Sequence, residues 1–153
     1  MNNLISHSYL ILLLPLLSFI INGLFLCFRH RKMAAILSTS LSFLGAVFAT
    51  IISVNFFISD AKPILAFNYE FLPFTGTLVA TIGCLLDSLS AMMILTVSLI
   101  SFAVHIYSIG YMESDQASGR FFALLSLFVF SMLGLVIAPN IFQTFICWEL
   151  VGV

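Results

Sequence analysis

Long apolar stretches without a charged residue set the strongest limit on how this chain can fold. A bilayer core about 30 Å thick is spanned by about 20 consecutive apolar residues in a helix, and several stretches of the sequence meet that length. Hydrophobic residues make up 62% of the chain and charged residues 7%, whereas soluble domains carry roughly a quarter charged residues. The sequence therefore predicts a multi-pass integral membrane protein in contact with the lipid bilayer, without room for a soluble catalytic domain.

The predicted fold class is an all-α integral membrane protein with four transmembrane helices and a partial fifth, all in one domain, 1–153. The helices are expected at about 4–28, 33–58, 86–110, 121–138 and 141–153. At 1.5 Å per residue the fifth stretch reaches only about 20 Å into the membrane. We therefore expect the sequence to be a fragment or a truncated chain.

The segment 59–85 between helices 2 and 3 interrupts the helical pattern. It combines charged residues, prolines and a glycine with short runs rich in Phe, Tyr, Ile, Val and Thr. Such runs bounded by turn residues are typical of a β-hairpin. A hairpin lying on the membrane surface and an irregular loop are both compatible with this pattern.

The densest positive cluster, Arg29-His30-Arg31-Lys32, predicts the orientation of the chain. Short basic loops remain on the cytoplasmic side of a membrane, or on the matrix side in mitochondria. The N-terminus and the segment 59–85 are then outside, and the 111–120 loop is inside. No larger basic patch exists, so a nucleic-acid partner is not predicted.

Glu149 is the most informative single residue because it follows a charge-free stretch from Phe121 to Trp148. A carboxylate at this position would lie well inside the bilayer, which costs about 3 kcal/mol on translocon scales. Intramembrane ionisable residues usually mark proton or ion pathways. Glu149 is therefore the candidate catalytic residue, acting in proton translocation. A buried structural carboxylate is the alternative.

A carboxyl group whose proton affinity depends on a movable cation can take up and release protons. The segment 121–153 contains no lysine or arginine. The cationic partner of Glu149 is therefore expected on another helix.

Helix 3 carries a polar stripe at steps of three and four residues, formed by Ser98, Ser101, His105 and Ser108. These residues share one helical face. The stripe predicts either a hydrated face, with His105 as a possible proton relay, or a face where small hydroxyl residues allow close helix packing. Asp87 is a weaker candidate for chemistry, and capping helix 3 is its simpler role.

Two further patterns concern structure. Helix 2 presents a face of small residues, which predicts a close-packing seam, at Ser38, Ser42, Gly45, Ala49 and Ser53. Pro139-Asn140 predicts the end of helix 4 and an asparagine cap on helix 5. The three cysteines, Cys27, Cys84 and Cys147, lack the spacing of a metal site, so no metal ligand set is predicted.

Four pieces of the sequence, in this order and spacing, carry a resemblance to a known family: His105-Ile106-Tyr107-Ser108-Ile109-Gly110-Tyr111-Met112, Arg120-Phe121-Phe122, Asn140, and Trp148-Glu149 before Val151-Gly152. They resemble the antiporter-like membrane subunit of proton-pumping NADH:quinone oxidoreductase (respiratory complex I), of the mitochondrial chain 5 and bacterial chain L type. The match is best over about 86–152, and the earlier part agrees in layout.

The resemblance implies a role for this chain in proton translocation coupled to electron transport from NADH to quinone. It places Glu149 at the family's essential intramembrane glutamate, paired with a lysine on a seventh helix. The implied partners are other membrane subunits of complex I, and FMN and iron–sulfur clusters are expected in partner subunits, with no cofactor in this chain. The implied location is a bacterial plasma membrane or the mitochondrial inner membrane.

The sequence departs from the family pattern at three positions. Cys147 and Leu150 stand where the family usually has glycines beside Trp-Glu, and Pro139 stands where it usually has an aspartate. Two other functions remain open: the large subunit of a multi-subunit cation/proton antiporter, and a truncated chain with only a structural or assembly role.

Overall fold

The computed structural model describes residues 8–26, 31–59, 63–75 and 78–152. Within these ranges the chain is mainly helical. In chain order the helices are α1 Leu10–Ile21, α2 Arg31–Ile58, α3 Ser88–Tyr111, α4 Ser118–Val136 and α5 Ile141–Gly152. Of the described helices, three are long and apolar enough to cross a membrane, namely Lys32–Ile58, Ser88–Tyr111 and Ser118–Val136. The predicted multi-pass, mainly helical membrane protein is confirmed.

The first helix is less regular than the sequence predicts. Helix α1 contains Pro15, which lacks the N–H that an interior helical residue donates. It continues into a π-helical turn at Asn22–Leu26, and such turns are rare and often lie at functional sites. The ends of the predicted helix, in 1–7 and 27–30, fall outside the described residues.

Helices α1 to α4 pack into a bundle in which α4 contacts each of the other three. Helix α2 packs along α3, and its predicted small-residue face is buried at Ser38, Gly45, Ala49 and Ser53. Small side chains let helix backbones approach closely in a membrane, where van der Waals packing holds helices together. Among the described elements, α5 packs only against α4 and the strand before α3.

A β-hairpin connects α2 and α3, where the sequence left a hairpin and an irregular loop open, and its place on the membrane surface stays a prediction. Strands β1 Ile64–Thr75 and β2 Leu78–Leu86 pair antiparallel. The register shifts at three places, between Leu65 and Phe67, between Glu70 and Leu72, and between Pro73 and Thr75. Bulges of this kind bend a strand and increase its twist.

The hairpin is anchored in the end of the helix bundle. Cys84 and Leu86 of β2 are buried in the same apolar cluster as Ile94 of α3. The backbone N–H of Leu85 donates to the carbonyl of Ile137, just after α4, at 2.9 Å. The hairpin is therefore part of the bundle end and does not hang from it as a free loop.

Much of the helical surface that faces away from the bundle is apolar. Leu24, Ile58, Leu89 and Ile141 are all more than two-thirds exposed. Many exposed large apolar side chains mark contact with lipid or with other protein. This surface agrees with the membrane location inferred from the helix lengths.

Candidate functional site

Glu149 lies on the side of α5 that faces away from α4. Gln143 and Cys147, one turn apart, lie on the side facing α4 and the hairpin, and Gln143 is buried. Glu149 is two residues beyond Cys147, which places it about 200° around the helix. Its side chain and that of Trp148 are exposed. Among the described residues, nothing forms a hydrogen bond or ion pair with the Glu149 carboxylate.

The bend before α5 positions this helix. Helix α4 ends at Val136, and Pro139 follows in the bend; proline disfavours helical backbone in the residue before it. The Oδ1 atom of Asn140 accepts a hydrogen bond from the N–H of Gln143 at 2.8 Å, which is the predicted cap. Glu149 then lies eight residues after Ile141, about 12 Å along the helix axis.

The amide groups of Asn140 and Gln143 also bind α5 to the hairpin. Gln143 Oε1 accepts from the backbone N–H of Gly83 at 2.8 Å, and its Nε2 donates to the carbonyl of Gly83 at 3.0 Å. Asn140 Nδ2 donates to the carbonyl and the hydroxyl of Thr81. The hairpin therefore holds the start of the helix that carries Glu149. This contact was not predicted, although an amide in an apolar helix six residues before Glu149 was a signal for it.

His105 lies inside the bundle, on the polar stripe of α3. Its side chain is 1% exposed, and its Nδ1–H donates to the carbonyl of Ser101 at 2.8 Å. Ser98, Ser101 and Ser108 are also buried, so the four residues share one inward face as the sequence predicts. The described part of α3 makes no contact with α5, and α4 separates His105 from Glu149.

Asp87 caps α3, which is the simpler of the two roles expected for it. Its Oδ1 atom accepts a hydrogen bond from the backbone N–H of Ser90 at 2.7 Å. This hydrogen bond holds the pKa of the Asp87 carboxyl below its usual value, because it stabilises the charged form. The structure does not bring Asp87 and Glu149 together, since α3 and α5 are not in contact.

A second polar network crosses the bundle between α1, α2 and α4. Ser18 Oγ lies 2.8 Å from Ser126 Oγ and 3.2 Å from Ser38 Oγ. Asn22, in the π-helical turn, donates from Nδ2 to Ser18 and Ser38. The sequence singled out only Ser38 of this network, as a packing residue, because Ser18 and Asn22 are isolated polar residues in an apolar helix.

No group of three or more His, Cys, Asp or Glu side chains in the described parts of the chain could hold a metal ion. Cys84 is buried beside Ser8, with Sγ and Oγ 3.3 Å apart, and burial raises the pKa of its thiol. A thiol in such surroundings is held in its unreactive protonated form. Cys27 lies outside the described residues.

Comparison with known proteins identifies the family that this chain is similar to. Residues 71–122 match the family described as NADH-ubiquinone oxidoreductase (complex I), chain 5 N-terminus. Subunit L of the NADH-quinone oxidoreductase of Rickettsia conorii is 40% identical over 94% of this chain. Subunit 5 of the chloroplastic NAD(P)H-quinone oxidoreductase of Chaetosphaeridium globosum is 38% identical over 99% of it.

These matches confirm the resemblance inferred from the sequence. The chain covers 22% of the Rickettsia conorii protein and 23% of the Chaetosphaeridium globosum protein. It therefore spans less than a quarter of the length of these curated relatives. The Chaetosphaeridium globosum relative is chloroplastic, whereas the sequence analysis considered bacterial and mitochondrial membranes.

Proposed function

We propose that this chain forms the N-terminal part of the proton-translocating membrane subunit of an NADH:quinone oxidoreductase, with Glu149 as the residue that carries the proton. The observation that carries the proposal is a carboxylate on an apolar helix, about 12 Å from the start of that helix, facing away from the four-helix bundle. The similar proteins of Rickettsia conorii and Chaetosphaeridium globosum are subunits of such oxidoreductases, which supports the same function.

The position of Glu149 gives its carboxylate a chemical role. Because α1 to α4 do not cover it, the side chain is open to groups from further helices or from other subunits. A cation brought close to the carboxylate would favour its charged form, and withdrawal of the cation would favour protonation. Repeated movement of the cation would then load and unload a proton. The family resemblance implies a lysine on a seventh helix as this cation.

His105 and Asp87 have secondary places in this proposal. His105 is the possible relay, reached from Glu149 only across α4, where Ser126 supplies a polar group. Asp87 is a weak candidate because its carboxylate is already engaged in capping α3. Glu149 is therefore the first residue of the proposed proton path to test, and His105 and Asp87 are tested after it.

The rest of the assembly follows from the family. We propose that the partners are other membrane subunits of the complex, that FMN and iron–sulfur clusters are held by partner subunits, and that the membrane is bacterial or belongs to an organelle. The N-terminus and the hairpin face outward, and the basic 29–32 segment faces inward. Four full spans and a fifth helix entering from the outer side give Glu149 its depth in the membrane.

The test is Glu149→Gln in the full-length subunit within the intact complex. The amide keeps the shape of the side chain and removes the titrating group, so proton pumping should fall strongly while the chain still inserts. Glu113→Gln is the matched control, because Glu113 is an exposed carboxylate in the α3–α4 loop. Pumping with an interior pH dye and NADH oxidation are measured together. Wild-type pumping in Glu149→Gln would show that the carboxylate is structural.

The same preparation distinguishes the oxidoreductase subunit from the two alternatives, a cation/proton antiporter subunit and a chain with only an assembly role. A cation/proton antiporter subunit would move protons in response to an imposed sodium gradient, without NADH. A chain with only an assembly role would leave pumping intact in Glu149→Gln but reduce the amount of complex formed when α5 is disrupted. Proton movement that requires NADH and Glu149 together supports the oxidoreductase.

A further inference from the structure

A small cavity lies inside the helix bundle, between α1, α2, α3 and α4. It offers about 20 Å³ to the centre of a water molecule, and about 10–15 Å³ on this measure holds one water. Every residue that lines it is buried or half-buried. Apolar residues line part of it, and seven polar side chains on four helices line the rest: Ser18, Ser38, Ser42, Ser98, Ser101, His105 and Ser126.

Two buried atoms of this lining have no hydrogen-bond partner among the described protein atoms, His105 Nε2 and Ser98 Oγ. Buried polar groups in proteins are nearly always hydrogen-bonded, to protein or to ordered water. The two side chains are 1% and 4% exposed, so bulk solvent does not reach them. A small polar molecule in the cavity would supply the missing partner.

The hydrogen bond at Nδ1 of His105 determines which kind of partner its Nε2 atom requires. The carbonyl of Ser101 can only accept, so Nδ1 carries the proton of the 2.8 Å hydrogen bond. In the neutral ring Nε2 is then an acceptor without a proton. A hydrogen-bond donor is required at Nε2, and water can donate there. Water can also accept from the hydroxyl of Ser98.

We propose that this cavity is an internal water site, in which water donates to His105 Nε2 and binds the hydroxyl of Ser98. The neighbouring Ser18–Ser126 pair extends the polar lining across to α1 and α4. The site lies among four helices, where lipid supplies no hydrogen bonds. It is separate from Glu149, and it holds whether or not Glu149 carries protons.

The test is solid-state NMR of the native membrane protein with ¹⁵N-labelled histidine, in which the signals lost in His105→Gln are those of the His105 ring. The expected spectrum shows a neutral ring protonated at Nδ1, with a cross-peak between Nε2 and water protons that is lost in D₂O. A doubly protonated ring, a proton on Nε2, or an Nε2 signal without a hydrogen bond and without a water cross-peak would overturn the proposal.

Cavity-filling variants locate the water. Gly45 lines the cavity, and a Cβ added there meets only Leu14, at an ordinary 4.0 Å, so Gly45→Ala should fold and displace the water. Ser42→Thr adds a methyl group from the same helix and serves where Gly45→Ala does not fold. Loss of the cross-peak is expected, and its persistence in a folded variant places the water elsewhere and refutes the site. Ser131→Ala is the matched control, because buried Ser131 bonds its own helix at Leu127 and should leave the cross-peak unchanged.

Discussion

Gly134 of α4 faces the thiol of Cys147 of α5 at a distance that leaves no room for a side chain. A Cβ atom at position 134 would lie 2.9 Å from the Sγ atom of Cys147, which is closer than van der Waals contact permits. The absence of a side chain at Gly134 therefore makes room for the thiol. Cys147 is one of the positions where the resemblance implies a glycine, and the small residue facing it leaves room for the thiol.

Gly134→Ala should loosen the contact between α4 and α5. Inserting a methyl group into packed surroundings typically costs about 1–3 kcal/mol, so the thermal unfolding midpoint should fall. Cys147→Ala in the same chain removes the Sγ atom that the new methyl group meets, and the double variant should recover most of the loss. If the double variant is as unstable as Gly134→Ala alone, the thiol is not the obstacle.

Gln143→Ala should detach the hairpin from the start of α5. The variant leaves the buried N–H and carbonyl of Gly83 without their side-chain partner, at a cost of about 1–3 kcal/mol for each unsatisfied group. Amide hydrogen exchange at Gly83 should become faster, and thermal stability should fall. Gln143→Glu retains an acceptor for the N–H of Gly83 and loses the donor to its carbonyl, so its effect should be intermediate.

The control for that experiment is Asn55→Ala. The Nδ2 atom of Asn55 donates to the carbonyl of Ile51 within its own helix at 2.7 Å, and no hydrogen bond joins Asn55 to the described part of the hairpin. Its removal should leave exchange at Gly83 unchanged. Equal exchange rates at Gly83 in wild type and Gln143→Ala would show that the Gln143 side chain does not hold the hairpin against α5.

The sequence predicts the features that depend on local pattern. Apolar length located the helices, the spacing of Ser98, Ser101 and His105 predicted their shared face, and residue type predicted the caps at Asp87 and Asn140. Each of these follows from helix geometry or from the chemistry of one side chain with nearby backbone. No information about distant parts of the chain was needed.

Contacts between distant segments could not be predicted in this way. Gln143 and Gly83 are 60 residues apart, and Ser18 and Ser126 are 108 residues apart. Nothing in the spacing of these residues shows that they meet, because pairing depends on how the helices pack. The π-helical turn at Asn22 was missed for a related reason, since its asparagine is held by serines from two helices.

Asp87→Ala should destabilise the start of α3 by about 0.5–2 kcal/mol, the usual cost of losing an N-cap. The folded protein holds the pKa of Asp87 below its usual value, which is about 3.9 in unfolded chains. The stability that its charge contributes is therefore fully present above about pH 3.9, and it is lost as the pH falls through the lower folded pKa.

Asp87→Asn is the matched control, because asparagine caps helices about as well and does not titrate in this range. The difference in unfolding midpoint between wild type and Asp87→Ala should narrow at acid pH. The difference between Asp87→Asn and Asp87→Ala should stay constant. A wild-type difference that does not change with pH would mean that the charge on Asp87 does not contribute to the cap.

Labelling of single cysteines should place the two ends of α2 on opposite sides of the membrane. The basic 29–32 segment predicts that the start of α2 is inside, and α2, at 28 residues and 1.5 Å per residue, is long enough to bring the hairpin to the outer side. In a chain with Cys27, Cys84 and Cys147 replaced by alanine, Arg31→Cys should react with an impermeant maleimide only after the membrane is opened. Glu70→Cys, at an exposed position of β1, should react in sealed cells or vesicles of native orientation. If both cysteines react from the same side, α2 does not span the membrane. If the two labelling patterns are reversed, the topology is inverted, and α5 enters the membrane from the inner side.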